Sequence, residues 1–227
     1  MSFSDYQALT DTLGKKGIRL VAVSKTKSVN EIQTLYDLGQ RDFGENYVQE
    51  LMEKHKALPD DIRWHFIGHL QTNKVRNISP FVHMIQSVDS MKLLLEINRQ
   101  AEKNNRIIDC LLQIHIAVEE TKFGLNEEEL HALINELVNA RNSGKVKGVR
   151  IAGCMGMASL TDDQEIVRQE FTRLQSLFEL IKKMLHPDHP DTLSMGMTSD
   201  YKIAAECGST MVRIGSLLFG ERTRTEK

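Results

Sequence analysis

Short apolar runs rich in branched residues recur along this chain, and a stretch with apolar positions three and four residues apart follows most of them. The first run is Leu20 to Val23. Ser28 and Glu31 then stand at capping-box spacing, Val29, Ile32 and Leu35 mark one face of a helix, and Gly39 supplies its stop. "RDFGEN" predicts a second, very short strand, followed by a helix from about Tyr47. "RWHFIG" and "VHMIQSV" predict the third and fourth strands, and Ser90 caps a helix whose Leu93, Leu94, Ile97 and Ala101 share a side. "IIDCLLQIHIAV" predicts the fifth strand, with Leu130, Leu133, Ile134, Leu137 and Val138 on the helix after it. "VRIAGCM" is the sixth. Thr161 and Gln164 predict a capping box for the next helix, along which Val167, Phe171, Leu174, Phe178, Ile181 and Leu185 recur. "TLSMGM" and "TMVRIG" predict strands seven and eight, with a short helix around Tyr201 to Glu206 between them.

Strands that alternate with helices predict an α/β fold with a parallel sheet, because parallel neighbours need a crossover and the crossover is usually a helix. Eight such units most simply close into a single (β/α)8 TIM-type barrel. An open, doubly wound sheet is the rival, since the count rests on the short second and seventh strands. No linker or shift in composition divides residues 1–227, so one domain is expected.

Composition narrows the function classes. The 227 residues carry a formal net charge of −2 with acidic and basic residues well mixed, which argues against a nucleic-acid surface and its basic stripe. The N-terminal stretch is amphipathic and unlike a signal peptide, and no run approaches the roughly 18 apolar residues of a membrane span. Cys110, Cys154 and Cys207 are far apart and odd in number, which fits a reducing cytoplasm better than a disulfide framework.

In a barrel of this kind the active site gathers at the C-terminal ends of the strands. Lys25 immediately follows "LVAV", so its stem emerges from the barrel core. If the extended chain continues, Lys27 adds a like charge nearby. Burial and a neighbouring cation both favour the neutral amine that carbonyl attack requires. Arg213 lies inside an apolar strand, where an unpaired charge is costly, so it needs a partner in the fold or in a ligand. Gly215 and Ser216 follow it, and "MGMTS" follows strand seven; together they predict an anion site where barrels commonly hold a phosphate. A lysine amine facing a phosphate site suggests a phosphorylated aldehyde, and pyridoxal 5′-phosphate meets that description. Arg213 then falls near the ring nitrogen and, as a permanent donor, keeps it unprotonated and weakens the electron sink.

The motifs "VAVSKTK", "FGENYVQE", "WHFIGHLQTNK", "ETKFG", "GCMGM", "LSMGMTSDY" and "GSTMVRIGSLLFG" run nearly end to end, and with them the chain resembles the pyridoxal phosphate homeostasis proteins. The resemblance implies a fold like the N-terminal barrel of alanine racemase. It implies that Lys25 forms the internal Schiff base and that Arg213 faces the pyridine nitrogen. It further implies that Thr198, Gly215 and Ser216 bind the phosphate with help from Ser194, and that Asn46 lies beside the cofactor. Lys27 and Lys122 match family lysines implicated in handling the cofactor. Thr198 stands where serine is usual and keeps its hydroxyl; Ser28 stands where proline often follows, and serves the helix cap.

Alanine racemase takes one of its two bases, a tyrosine, from a second domain, and nothing after "LLFGERTRTEK" supplies one. The expectation is therefore a monomeric, cytoplasmic carrier of pyridoxal phosphate with no established reaction. Apo-enzymes that use the cofactor are its possible recipients. A weak amino-acid racemase is the alternative. A cofactor-free Schiff-base aldolase is disfavoured, because it has no pyridine for Arg213 to face.

Overall fold

The computed structural model describes residues 3–119, 123–186 and 188–220. An opening helix α1 (Phe3–Lys15) precedes β1 (Arg19–Val23), α2 (Val29–Asp37), β2 (Asp42–Glu45), α3 (Val48–Ala57) and β3 (Arg63–Phe66). A 3-10 turn at Thr72–Lys74 leads into α4 (Val75–Ile78), followed by β4 (Met84–Val88), α5 (Met91–Lys103), β5 (Ile108–Ile114) and α6 (Glu127–Asn142). Then come β6 (Val149–Gly156), α7 (Gln164–Met184), β7 (Thr192–Ser194), α8 (Tyr201–Glu206), β8 (Met211–Ile214) and α9 (Ser216–Phe219).

The strands form one closed barrel in sequence order, with β1 pairing in parallel with both β2 and β8. Closure removes the edges that an open sheet would leave, and the doubly wound alternative falls. The predicted capping box at Ser28 is present: Glu31 N–H donates to the Ser28 hydroxyl, and the Glu31 carboxylate accepts from Ser28 N–H. Ser90 caps α5 as expected. The cap of α7 differs. Asp163, not Thr161, accepts from the N–H groups of Glu165 and Ile166, while the Thr161 hydroxyl accepts from Asp163 N–H. An ionised carboxylate at the first turn outcompetes a hydroxyl two residues earlier.

Period-two alternation sends one residue set outward and the other into the barrel. The outward set packs with the helices, with Phe43, Trp64, Ile85, Ile151 and Phe171 almost wholly buried. Inside, Val21, Met84, Leu111, Ala152, Met155 and Met211 form a second, smaller cluster. Asp42, His65, Gln86, Ser194 and Arg213 are also buried, and hydrogen bonds join them in a chain.

Two groups at the N-terminal end of the barrel set its response to acid. Burial, with a smaller push from His65, lowers the His83 imidazole from an ordinary 6.5 to about 4. Burial tends to raise the Asp42 carboxyl, but hydrogen bonds from Arg63 and His65 overcome it and hold it well below the usual carboxylate range. Both folded-state values are depressed, so their stabilisation is present at neutral pH and lost on acidification. His83 acts first, between 6.5 and about 4. Because His83 is half-buried and screened, about 1–2 kcal/mol is expected to disappear over that window. Urea unfolding at neutral and mildly acidic pH checks this, and His83→Gln is expected to flatten the slope.

Candidate functional site

β1 ends at Val23 and does not continue extended to Lys27. Lys27 N–H donates to Ser24 O at 3.0 Å, closing a turn, and Thr26 takes φ = 65°, a left-handed conformation costly for a β-branched residue. The turn is held from outside. Glu50 on α3 accepts Thr26 N–H at 2.5 Å, and Lys54 Nζ donates to Ser24 O at 2.7 Å. The two residues that flank Lys25 are thus both tied to α3.

Lys54 is itself buried, and its ammonium also meets Glu45 Oε1 at 2.8 Å and Glu50 Oε1 at 2.6 Å. The Ser24 hydroxyl donates to Glu45 Oε1 at 2.5 Å, while Glu45 Oε2 is buried without a hydrogen-bond partner among the described residues. Burial pushes the Glu45 carboxyl up, with Lys54 opposing. Sequence reasoning missed this cluster. Its signal was the i, i+4 pair Glu50 and Lys54 within "ENYVQELMEK".

Lys25 faces a cavity of about 570 Å³ whose wall also includes Lys27, Thr198, Arg213, Gly215 and Ser216. One space therefore gathers residues from the ends of β1, β7 and β8. Gly215 has no side chain to intrude, and a Cβ there would come within 3.3 Å of Val23 O. At Gly196 φ is 97°, and a Cβ would stand 2.6 Å from Ala204, so the loop after β7 can take this path only with glycine. Beyond Gly215, the short helix α9 opens with Ser216, which lines the cavity.

Arg213 is almost fully buried. It donates from Nη1 to Ser194 Oγ at 2.7 Å and from Nη2 to Gly156 O at 3.0 Å. Burial pushes its guanidinium down to about 10, and Asp200 opposes through space. It remains protonated at neutral pH, held by two uncharged acceptors, with its charge beside the cavity.

The other expected residues fall differently. Ser194, expected to help at the phosphate, is fully buried and outside the cavity wall, and its hydroxyl donates to Gln86 and accepts from Arg213. Asn46 lies at the neighbouring end of β2, outside that wall, and its buried Oδ1 has no hydrogen-bond partner among the described residues. The chain passes tightly there, since a Cβ on Gly68 would lie 2.3 Å from Asn46 O. Lys27 lines the cavity, but its charge is met: Nζ is 3.2 Å from Glu31 Oε1 and donates to Phe219 O at 3.3 Å. The like-charge argument for Lys25 loses its premise accordingly. Lys122 lies outside the described residues.

Fold and rim together define a class, that of the parallel barrels at the N-terminal end of alanine racemases. The family model described as "Alanine racemase, N-terminal domain" matches residues 4–223. Alanine racemase from Bartonella henselae superimposes with a TM-score of 0.69 at 16% identity, over 97% of this chain and 62% of that one, which speaks for the fold alone. The chain belongs to this family and, within it, to the pyridoxal phosphate homeostasis proteins. The protein of that name from Pasteurella multocida is 39% identical over 213 residues, covering 92% of this chain and 88% of its own length. The human one is 41% identical over 220 residues, covering 92% and 78%. PipY of Synechococcus elongatus, solved with pyridoxal phosphate bound, matches with a TM-score of 0.84 and 31% identity, over 96% of this chain and all of that one.

Proposed function

We propose that this chain binds pyridoxal 5′-phosphate in the cavity at the C-terminal rim of its barrel, holds it as a Schiff base on Lys25, and serves the intracellular homeostasis of that cofactor. One observation carries the reading: Lys25, Arg213, Gly215 and Ser216 line the same cavity, so an amine, a fixed cation and hydroxyl-bearing anion contacts face one ligand-sized space. The residues fit the group. The hydroxyls of Thr198 and Ser216, with the backbone at Gly215, suit the phosphate. The guanidinium of Arg213 suits an unprotonated ring nitrogen, and the Lys25 amine suits the aldehyde. The buried, unpartnered Asn46 Oδ1 at the next strand end is a further polar group available to a ligand.

Bound pyridoxal phosphate supplies an aldehyde and an aromatic electron sink. Lys25 would hold the aldehyde end through its amine, which must be neutral to add; its ammonium proton would go to solvent and one water would be released. A guanidinium at the ring nitrogen donates a hydrogen bond without giving up its proton, so the sink stays weak. That favours holding and releasing the cofactor over amino-acid chemistry. The names of the relatives support the same reading. One barrel unit suffices for these contacts, and we place the chain in the cytoplasm as a monomer that can pass the cofactor to apo-enzymes. Two observations accord with that location: no helix among the described residues is long and apolar enough to cross a membrane, and Cys110 and Cys154 are buried with thiols raised by burial.

The test is a spectral titration of the purified chain with pyridoxal phosphate, then borohydride reduction and peptide mapping. A yellow band with the fixed mass on the peptide carrying Lys25 is the expected result. A spectrum that stays that of the free aldehyde, or a label elsewhere, overturns the assignment. Exchange of an amino acid's α-hydrogen in deuterated water would move the reading to a racemase.

A further inference from the structure

Asp42, His65 and His83 bring one potential metal-ligand atom each within 4.8 Å of one another at the N-terminal end of the barrel. Those donors are already committed. Asp42 takes Arg63 Nε and Nη2 on its two oxygens at 2.9 and 2.6 Å, and His65 Nε2 lies 2.9 Å from Asp42 Oδ1. His65 Nδ1 is 3.0 Å from Gln86 Nε2. The contacts lead into the barrel, not toward a cation.

Followed inward, they form one directed chain. Asp42 is ionised and can only accept, so His65, kept neutral by burial, must carry its proton on Nε2. Its Nδ1 is then an acceptor and selects the amide nitrogen of Gln86. The other amide hydrogen of Gln86 reaches Met211 Sδ at 3.2 Å. Gln86 Oε1 is thereby turned to Ser194 and accepts its hydroxyl hydrogen at 2.7 Å. With that hydrogen spent, Ser194 offers Arg213 only a lone pair, which Nη1 meets at 2.7 Å. Each orientation fixes the next, from one end of the barrel to the floor of the cavity at the other.

We propose that Asp42, His65, Gln86 and Ser194 are positioning residues that hold Arg213 in a single orientation toward the ring nitrogen of bound pyridoxal phosphate. The inference rests on the proposed function. An apolar filling of the same volume would spare the desolvation of four polar groups, but it could not seat a buried guanidinium whose hydrogen bonds among the described residues go to a hydroxyl and a carbonyl. Because the chain ends on a hydroxyl, Arg213 is located by an uncharged acceptor, with Asp200 acting on it only through space.

The experiment uses the full chain loaded with pyridoxal phosphate labelled with ¹⁵N in the ring. The ring-nitrogen shift is read by NMR and affinity by spectral titration, in wild type, Gln86→Leu, Ser194→Ala and Leu111→Ala. Leu111 is buried in the same barrel interior but is apolar, and its truncation controls for loss of stability. Wild type is expected to show an unprotonated ring nitrogen. Gln86→Leu and Ser194→Ala are expected to move that signal and to weaken binding about tenfold, the scale of a mispositioned charged hydrogen bond. Leu111→Ala is expected to leave the signal in place. An unmoved signal in Ser194→Ala overturns the proposal whatever happens to stability, and that variant decides alone if Gln86→Leu does not fold. A protonated ring nitrogen in wild type also overturns it. If wild type binds no pyridoxal phosphate, the functional reading falls first and takes this one with it.

Discussion

Replacing Lys54 by Met is expected to destabilise the folded chain by about 3–5 kcal/mol, the cost of removing one partner from a buried ion pair. Glu45 has no exposed surface, and its Oε1 depends on Lys54 and the Ser24 hydroxyl. Without the ammonium, a buried carboxylate keeps one hydroxyl contact and an oxygen already unpartnered. It responds by taking up a proton, which limits the loss and gives it a pH signature. Burial already raises the Glu45 carboxyl, and removing Lys54 raises it further. A raised folded-state value means stability that is present at low pH and lost as pH rises through that value. The gap between variant and wild type should therefore be wider at pH 8 than at pH 5, the reverse of the slope His83 gives wild type. Urea midpoints at the two pH values, with unchanged m, measure it. Lys54→Met combined with Glu45→Leu should recover part of the loss, because the fully buried carboxylate is then gone and only the partly exposed Glu50 lacks its ammonium.

The same substitution reaches the cavity. Lys54 holds Ser24 O, and Glu50, its ion-pair partner, holds Thr26 N–H. Lys25 sits between them in a turn whose left-handed residue persists only while its surroundings enforce it. At acidic pH, where the variant is best folded, it should still take up pyridoxal phosphate more slowly than wild type.

Much of this was legible in the sequence, and the physical reasons are specific. The barrel could be read because strands buried on both faces are near-continuous apolar runs, and each crossover helix shows its own apolar stripe. Lys25, Arg213, Gly215 and Ser216 stood out because a charge or a glycine is conspicuous at the end of such a run. The turn at Thr26 was not legible, since its left-handed conformation is imposed by Glu50 from a helix 24 residues away. The surroundings of Ser194 were hidden for a related reason. The resemblance alone put it at the phosphate, and nothing nearby in sequence announces that Gln86, 108 residues away, takes its hydroxyl hydrogen. The interior polar chain did leave a trace. "DFGE", "WHF" and "MIQS" each put one polar side chain at an inward position of a buried strand, a cost that asks for partners.

Lys25→Ala is expected to abolish the borohydride-fixed adduct completely while leaving a weaker, reversible site. The two ends of the ligand are served by different strands. Lys25 follows β1, whereas Arg213, Gly215 and Ser216 belong to β8 and its end, and Thr198 to the loop after β7. Removing the amine deletes the covalent link and leaves the cation and the phosphate contacts standing. Residual binding should keep the absorbance of the free aldehyde with no shifted imine band, and should be competed by inorganic phosphate and sensitive to salt. In wild type, ligand at about 100 times its dissociation constant adds about 2.7 kcal/mol of stability, and the variant at the same concentration should gain little. Lys25→Arg separates charge from chemistry: it keeps the cation and cannot form the imine, so its adduct should be absent as well. The opposing result is a fixed mass that survives in Lys25→Ala. Lys27 is the residue it would indict, since it lines the same cavity. Its ammonium, though, is paired with Glu31 and bonded to Phe219 O, and a paired ammonium must give up both contacts and a proton before it can attack a carbonyl. Lys27→Ala should accordingly keep the yellow band, and that contrast between two lysines on one turn decides which of them carries the aldehyde.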